Sequence, residues 1–176
     1  MSGVVHHVST FAEARALVDA APSFALSHCG CRERKGGCDR SKTMVCLQFG
    51  DREATGSGRH PIAREEALAH LDYARKQLLI PRPFKDEATR TVVEGICFCC
   101  DDCCSYFVEG EACDQGALVE RTDLDRCNGC GACEPVCHFG ARAMGSDGLE
   151  LDRDACFGCG LCLEVCPEGC IEMVAR

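Results

Sequence analysis

One cysteine pattern, Cys-x2-Cys-x2-Cys-x3-Cys, occurs twice in the last third of this chain. The first run is Cys127, Cys130, Cys133 and Cys137; the second is Cys156, Cys159, Cys162 and Cys166. Thiolates at these short steps wrap a chain around a cubane iron–sulfur cluster. Zinc is the rival metal, but zinc sites usually pair two separated Cys-x2-4-Cys knuckles. Here three cysteines recur at three-residue intervals with a fourth four residues later, twice over, and that spacing favours clusters.

The two runs belong to an internal repeat with an offset of 29 residues. Asp125 maps to Asp154, Cys127 to Cys156, Gly129 to Gly158, Gly131 to Gly160 and Gly140 to Gly169. Glycines between the cysteines let the backbone press close to sulfur, so that its amides can donate hydrogen bonds that tune the metal. Gly145-Ser146-Asp147-Gly148 reads as a turn between two short strands.

Cysteine usage is far outside the ordinary range, at 19 of 176 residues, and signals either a disulfide scaffold or metal ligation. The count is odd, and many cysteines stand too close together for a disulfide framework. No N-terminal stretch has the form of a secretory signal, and no apolar stretch has the length of a membrane span. The expectation is a soluble cytoplasmic metalloprotein, from an anaerobe because exposed clusters are oxygen-sensitive. Residues 1–96 carry 14 basic and 12 acidic side chains, whereas residues 97–176 carry 5 and 16. Bound clusters would make that second part more negative still. Nucleic acid is therefore a poor partner. A basic docking surface on a redox enzyme or electron carrier is a good one, although acidity also serves solubility alone.

Ahead of the repeat, Thr10 to Glu13 has capping-box form and opens a helix to about Ala20, which Pro22 ends. A first cysteine region holds Cys29, Cys31, Cys38 and Cys46, with a short strand around Cys46. Residues 50–61 read as a loop. A helix is expected from Arg64 to Leu79, with Ala67, Leu68, Leu71, Ala74 and Leu78 on one face, stopped by Pro81 and Pro83. Thr91, Val92 and Val93 lead, extended, into a second region: Cys97, Cys99, Cys100, Cys103 and Cys104. Arg32, Arg34, Lys35, Arg40 and Lys42 crowd the first region; a solvated loop is the plain reading, a docking or tuning role the other. Gly56-Ser57-Gly58 lacks the rest of a phosphate loop, and no dinucleotide fingerprint appears.

Residues 119–174 resemble a bacterial-type two-[4Fe–4S] ferredoxin. The resemblance implies one cluster on Cys127, Cys130, Cys133 and Cys166, and another on Cys156, Cys159, Cys162 and Cys137, because the fourth cysteine of each run crosses to the other cluster. Cys166-Pro167 keeps the family proline and Cys137-His138 departs from it. His138 reads as a surface residue in place of that proline, with a place beside a cluster as the alternative. Cys170 reads as a small buried residue and not a ligand.

Residues 26–107 are similar to a cysteine-rich module that precedes ferredoxin domains in some poorly characterised anaerobe iron–sulfur proteins. The likeness rests on His28-Cys29-Gly30-Cys31-Arg32, on Glu65-Glu66-Ala67 and on Ile96-Cys97-Phe98-Cys99-Cys100 through Cys104; Ser105 stands where relatives often have a third cysteine. It implies one or two further clusters, with Cys29, Cys31, Cys38, Cys46, Cys97, Cys99, Cys100, Cys103 and Cys104 as metal ligands. Spacing leaves their grouping open: Cys99 and Cys100 can serve different clusters, and the two regions can mix. A zinc-stapled module is the competing reading, and Cys113 stands apart.

The expected fold is α+β: a small metal-stapled domain at 1–107, a linker at 108–118, and a pseudo-twofold two-cluster ferredoxin domain at 119–176. The expected function is electron relay between redox partners, alone or as a subunit of a larger complex. No residue is assigned a catalytic role. Two alternatives stay open. One is a reductase with an N-terminal active-site cluster fed by the ferredoxin pair, which the surplus cysteines and His28 allow. The other is a redox sensor with labile N-terminal metal.

Overall fold

A computed structural model describes residues 6–50, 58–85, 91–110 and 113–176. Helix α1, Phe11–Ala20, begins where the sequence places it. Thr10 Oγ1 accepts from the Glu13 amide at 3.2 Å, and the Glu13 carboxylate accepts from the Thr10 amide at 2.8 Å. Such a cap contributes about 1 kcal/mol. Phe11, Ala14 and Val18 form its buried stripe.

Strand β1 (Phe24–His28), helix α2 (Gly30–Lys35), strand β2 (Met44–Phe49) and strand β3 (His60–Ile62) follow. His60 and Pro61 thus pair in a strand where a loop is expected, and residues 51–57 of that expected loop lie outside the described residues. Helix α3, Arg64–Lys76, is three residues shorter than the expected run to Leu79. Leu78 takes a left-handed backbone conformation with φ 52°, which turns the chain so that Leu79 and Ile80 enter the core fully buried. The chain then runs into β4 (Ile80–Lys85) and β5 (Val93–Cys99).

These strands form one antiparallel sheet in the order β3-β1-β2-β5-β4. Prolines sit only in its two edge strands, where a missing N–H breaks no ladder. The carbonyls of Pro81 and Pro83 accept instead from the amides of Ser9 and His7, at 3.0 and 3.1 Å.

Strand period two sorts the sheet's side chains. Leu26, Leu47, Ile96 and Phe98 share the face covered by α1 and α3 and join its core. Ser27, Cys46, Gly95, Cys97, Cys99 and Arg82 share the other. The alternation that fills the core on one side therefore gathers thiols on the other.

Beyond α4 (Ser105–Glu109), strand β6 (Leu118–Thr122) starts within the expected linker and pairs with β9 (Ile171–Ala175). Strands β7 (Arg142–Gly145) and β8 (Gly148–Leu151) form the expected hairpin, and α5 spans Leu161–Val165. The core is continuous across the expected boundary: Val136 and Leu161 are buried in the same cluster as Phe11 and Phe98. Phe139 and Phe157 stack at 4.4 Å between ring centroids, and Tyr106 packs on both, at 5.9 and 5.8 Å. Arg75 reaches Glu164 at 3.5 Å.

Candidate iron–sulfur sites

Two hollows, partly open to solvent, lie in the 120–173 region. Cys127, Cys130, Cys133 and Cys166 line the first. Cys137, Cys156, Cys159 and Cys162 line the second. The crossover of the fourth cysteine thus emerges from the packing: β9 and its preceding turn bring Cys166 to the first run. Gly158 shows how tight the cradle is. Its φ is 81°, and a Cβ there would lie 2.2 Å from the Leu118 carbonyl oxygen.

Burial pushes the Cys159 and Cys162 thiols up to about 12, so both keep their protons until a metal displaces them. Arg142 lines both hollows. Its Nη2 donates to Glu120 Oε2 at 2.7 Å, with both side chains buried, while Nε and Nη1 have no partner within the protein. Burial opposes the Arg142 charge, yet Cys162, Glu120 and Cys133 hold its pKa above the ordinary value. A buried cation with idle donors beside eight thiols fits anionic clusters, whose sulfurs would accept those bonds.

Cys170 is buried as expected, but not apart from the sulfurs: its Sγ lies 3.4 Å from Cys166 Sγ in the first hollow. His138 departs from the surface reading. Its side chain is 7 % exposed, packs against Phe107, and places Nδ1 3.5 Å from Asp101.

In the N-terminal part, Cys99 and Cys100 diverge as adjacent strand residues do. Cys29, Cys31, Cys97, Cys99, Cys103 and Cys104 line one cavity with His6, Arg32 and Arg82. Cys46 adjoins it, 3.7 Å from Cys97. Cys38, Cys100 and Cys103 form a second, tight group, which meets the cavity at Cys103. So the two cysteine regions do mix, with α2 and the 100–104 turn bringing them together.

The sequence reading missed what lies between these groups. Arg82, between two prolines on β4, is 3 % exposed. It donates to Cys113 at 3.2 Å, Cys99 at 3.5 Å and Cys104 at 3.0 Å. Cys113, which stood apart in sequence, is thereby drawn in. Cys104 is lowered to about 6, first by its hydrogen bond with Cys99 and further by Arg82. Arg32 was expected in a solvated loop and is instead fully buried; it donates to the Phe98 carbonyl at 3.1 Å and faces Cys100 at 3.8 Å. Nε and Nη1 of Arg32 and Nη2 of Arg82 have no partner within the protein. The other cations nearby are surface groups: Lys35 pairs with Asp102, Arg40 with Asp101, and Lys42 lies over the Tyr73 ring. The available signal was the alternation through Arg82 and its facing partner Cys97.

Residues 126–171 match the family model described as the 4Fe-4S dicluster domain. That stretch is therefore a ferredoxin-type [4Fe–4S]-binding domain, and the match points to iron–sulfur electron transfer. Searches of curated proteins and of solved structures found no match to the chain. Among the described residues no helix is long and apolar enough to cross a membrane.

Proposed function

We propose that the protein is a multi-cluster electron relay. In it the ferredoxin-type region exchanges electrons with a redox partner, and the N-terminal cysteine cavity holds at least one further cluster in series. A [4Fe–4S] cluster, when bound, supplies a one-electron couple. The chain's own residues set its ligation, burial, charge and neighbours.

The observation that carries this reading is the packed path between the two regions. Phe157 follows Cys156 in the second hollow, and its ring packs on Tyr106 at 5.8 Å. Tyr106 in turn lies under the Arg82 guanidinium at 5.3 Å, and Arg82 donates to Cys99 and Cys104. The second ferredoxin site and the N-terminal cavity are thus linked through one aromatic contact. Cys130 is exposed in the first hollow, which Glu168 also lines, on an acidic part of the chain. That surface suits a basic partner, whose docking would weaken with salt.

The test is anaerobic iron and acid-labile sulfide analysis, with EPR during stepwise reduction. The relay predicts more than the roughly eight irons of two cubanes. It also predicts that one donor acting at the ferredoxin end reduces the additional cluster. Iron confined to residues 126–171 would overturn it. An N-terminal EPR signal that shifts with an added small molecule would favour the reductase reading instead.

A further inference from the structure

We infer that Cys38, Cys100 and Cys103 form a single-ion tetrahedral thiolate site, of the class taken by zinc, distinct from the iron–sulfur clusters although Cys103 also borders the N-terminal cavity. The inference goes beyond the relay and does not depend on it. Its basis is a difference in scale between sulfur groups of one molecule. The three Sγ atoms of this group all lie within 4.8 Å of one another. Cys100 stands 3.5 Å from Cys38 and 3.4 Å from Cys103. A tetrahedral ion with zinc–sulfur bonds of about 2.3 Å needs sulfurs about 3.8 Å apart. The quartets at 127–166 provide the internal comparison. They belong to the region that matches a cluster-binding family, and no three of their sulfurs meet as closely. Among the described residues no other three cysteine, histidine or carboxylate donors do so.

Local sequence explains the convergence. Cys100 and Cys103 are three apart on the turn that follows β5, so both sulfurs reach the same side of it. Cys38 arrives from the loop after α2, which Gly36 ends in a left-handed conformation with φ 83°. The loop is then clamped to the turn. The Asp39 amide donates to Asp102 Oδ2 at 3.2 Å, Arg40 pairs with Asp101 at 2.7 Å, and Lys35 pairs with Asp102. Such a geometry closes a loop of about sixty residues, and metal binding would stabilise the fold accordingly.

Charge agrees with one divalent ion. Three thiolates around a dication leave a net charge of −1, and fully buried Arg32, 3.8 Å from Cys100, supplies +1. Two further Arg32 donors are buried without a protein partner. Among the described residues no carboxylate or imidazole joins the three sulfurs within 4.8 Å, so the fourth position falls to a solvent oxygen. Three thiol protons leave on binding, and no electron is transferred.

The full chain, purified anaerobically from zinc- and iron-supplemented cells, is assayed for zinc, iron and sulfide and by zinc X-ray absorption. The expected result is about one zinc per chain, with three sulfurs at about 2.3 Å and one lighter ligand. Cys38→Ser and Cys100→Ser should lose that zinc and keep the wild-type iron and sulfide. Zinc-free protein would overturn the assignment, as would loss of iron and sulfide together in Cys38→Ser. So would a zinc shell with fewer than three sulfurs. If the variants fail to fold, the wild-type zinc content and absorption spectrum decide alone. Failure of the relay reads out separately, as iron confined to residues 126–171.

Discussion

Cys99 and Cys100 are bonded neighbours whose sulfurs serve different groups: Arg82 donates to Cys99 at 3.5 Å, whereas Cys100 lies 3.4 Å from Cys103 and 3.5 Å from Cys38. Cys99 is the last residue of β5 and points to the thiol face of the sheet, while Cys100 begins the turn. Serine at the two positions should therefore have different metal phenotypes. Cys99→Ser is expected to lower iron and sulfide and leave zinc intact; Cys100→Ser is expected to do the reverse. Elemental analysis of both variants checks this, and identical losses would show that the two sulfurs share one centre.

Arg142 bridges the two ferredoxin hollows and is neutralised by Glu120. Arg142→Met should move both ferredoxin couples to more negative potential, because the reduced, more anionic form loses a nearby cation. It should also cost about 3 kcal/mol, the low end for a broken buried pair, because Thr122 and Arg153 still bond Glu120. Arg142→Lys keeps the charge and should hold the potentials closer to wild type. Potentiometric EPR titration separates the two, and equal potentials in wild type and Arg142→Met would refute the electrostatic role.

Gly158→Ala places a methyl against the Leu118 carbonyl in a left-handed backbone position. The strain and the overlap together should cost about 2–4 kcal/mol. Cluster content should fall chiefly in the second hollow. Denaturant unfolding and iron analysis report the two effects; a variant with wild-type midpoint would mean that β6 gives way freely.

His70 lies on the buried face of α3, its Nε2 3.2 Å from the Val45 carbonyl, which a neutral ring satisfies by donating. Burial lowers its pKa from 6.5. A lowered histidine binds its proton more readily unfolded than folded. Its contribution is therefore complete above about pH 6.5 and is lost as pH falls below it, with a slope of at most about 1.4 kcal/mol per pH unit. His70→Gln keeps a donor and cannot titrate, so wild type should lose stability against it from pH 6.5 downward. Unfolding midpoints of the pair between pH 8 and 5 test this; parallel curves would contradict it.

Several features were legible in the chain because they are set by local rules. Thr10 and Glu13 cap α1, Gly145 to Gly148 turn a hairpin, and the spacing of Cys127 to Cys166 specifies a cluster-binding loop. Each involves residues within a few positions of one another, or a repeat whose ligand crossover follows from a known pattern. The end of α3 was less legible. Periodicity carried the helix through Leu78, yet burial of Leu79 and Ile80 in the sheet required a turn there.

Sequence alone pointed to metal on thiolates and to a [4Fe–4S]-binding domain around residues 126–171, because ligand spacing is itself the chemistry. The sorting of the N-terminal sulfurs was decided only by tertiary structure. Pairing of β2, β5 and β4 puts Cys46, Cys97 and Arg82 on one sheet face, and α2 folds Arg32 beneath it. Arg32 and Arg82 read as ordinary cations in the chain. They became partners of the sulfurs because a buried guanidinium is tolerated only where anions converge, and that convergence joins residues some sixty positions apart.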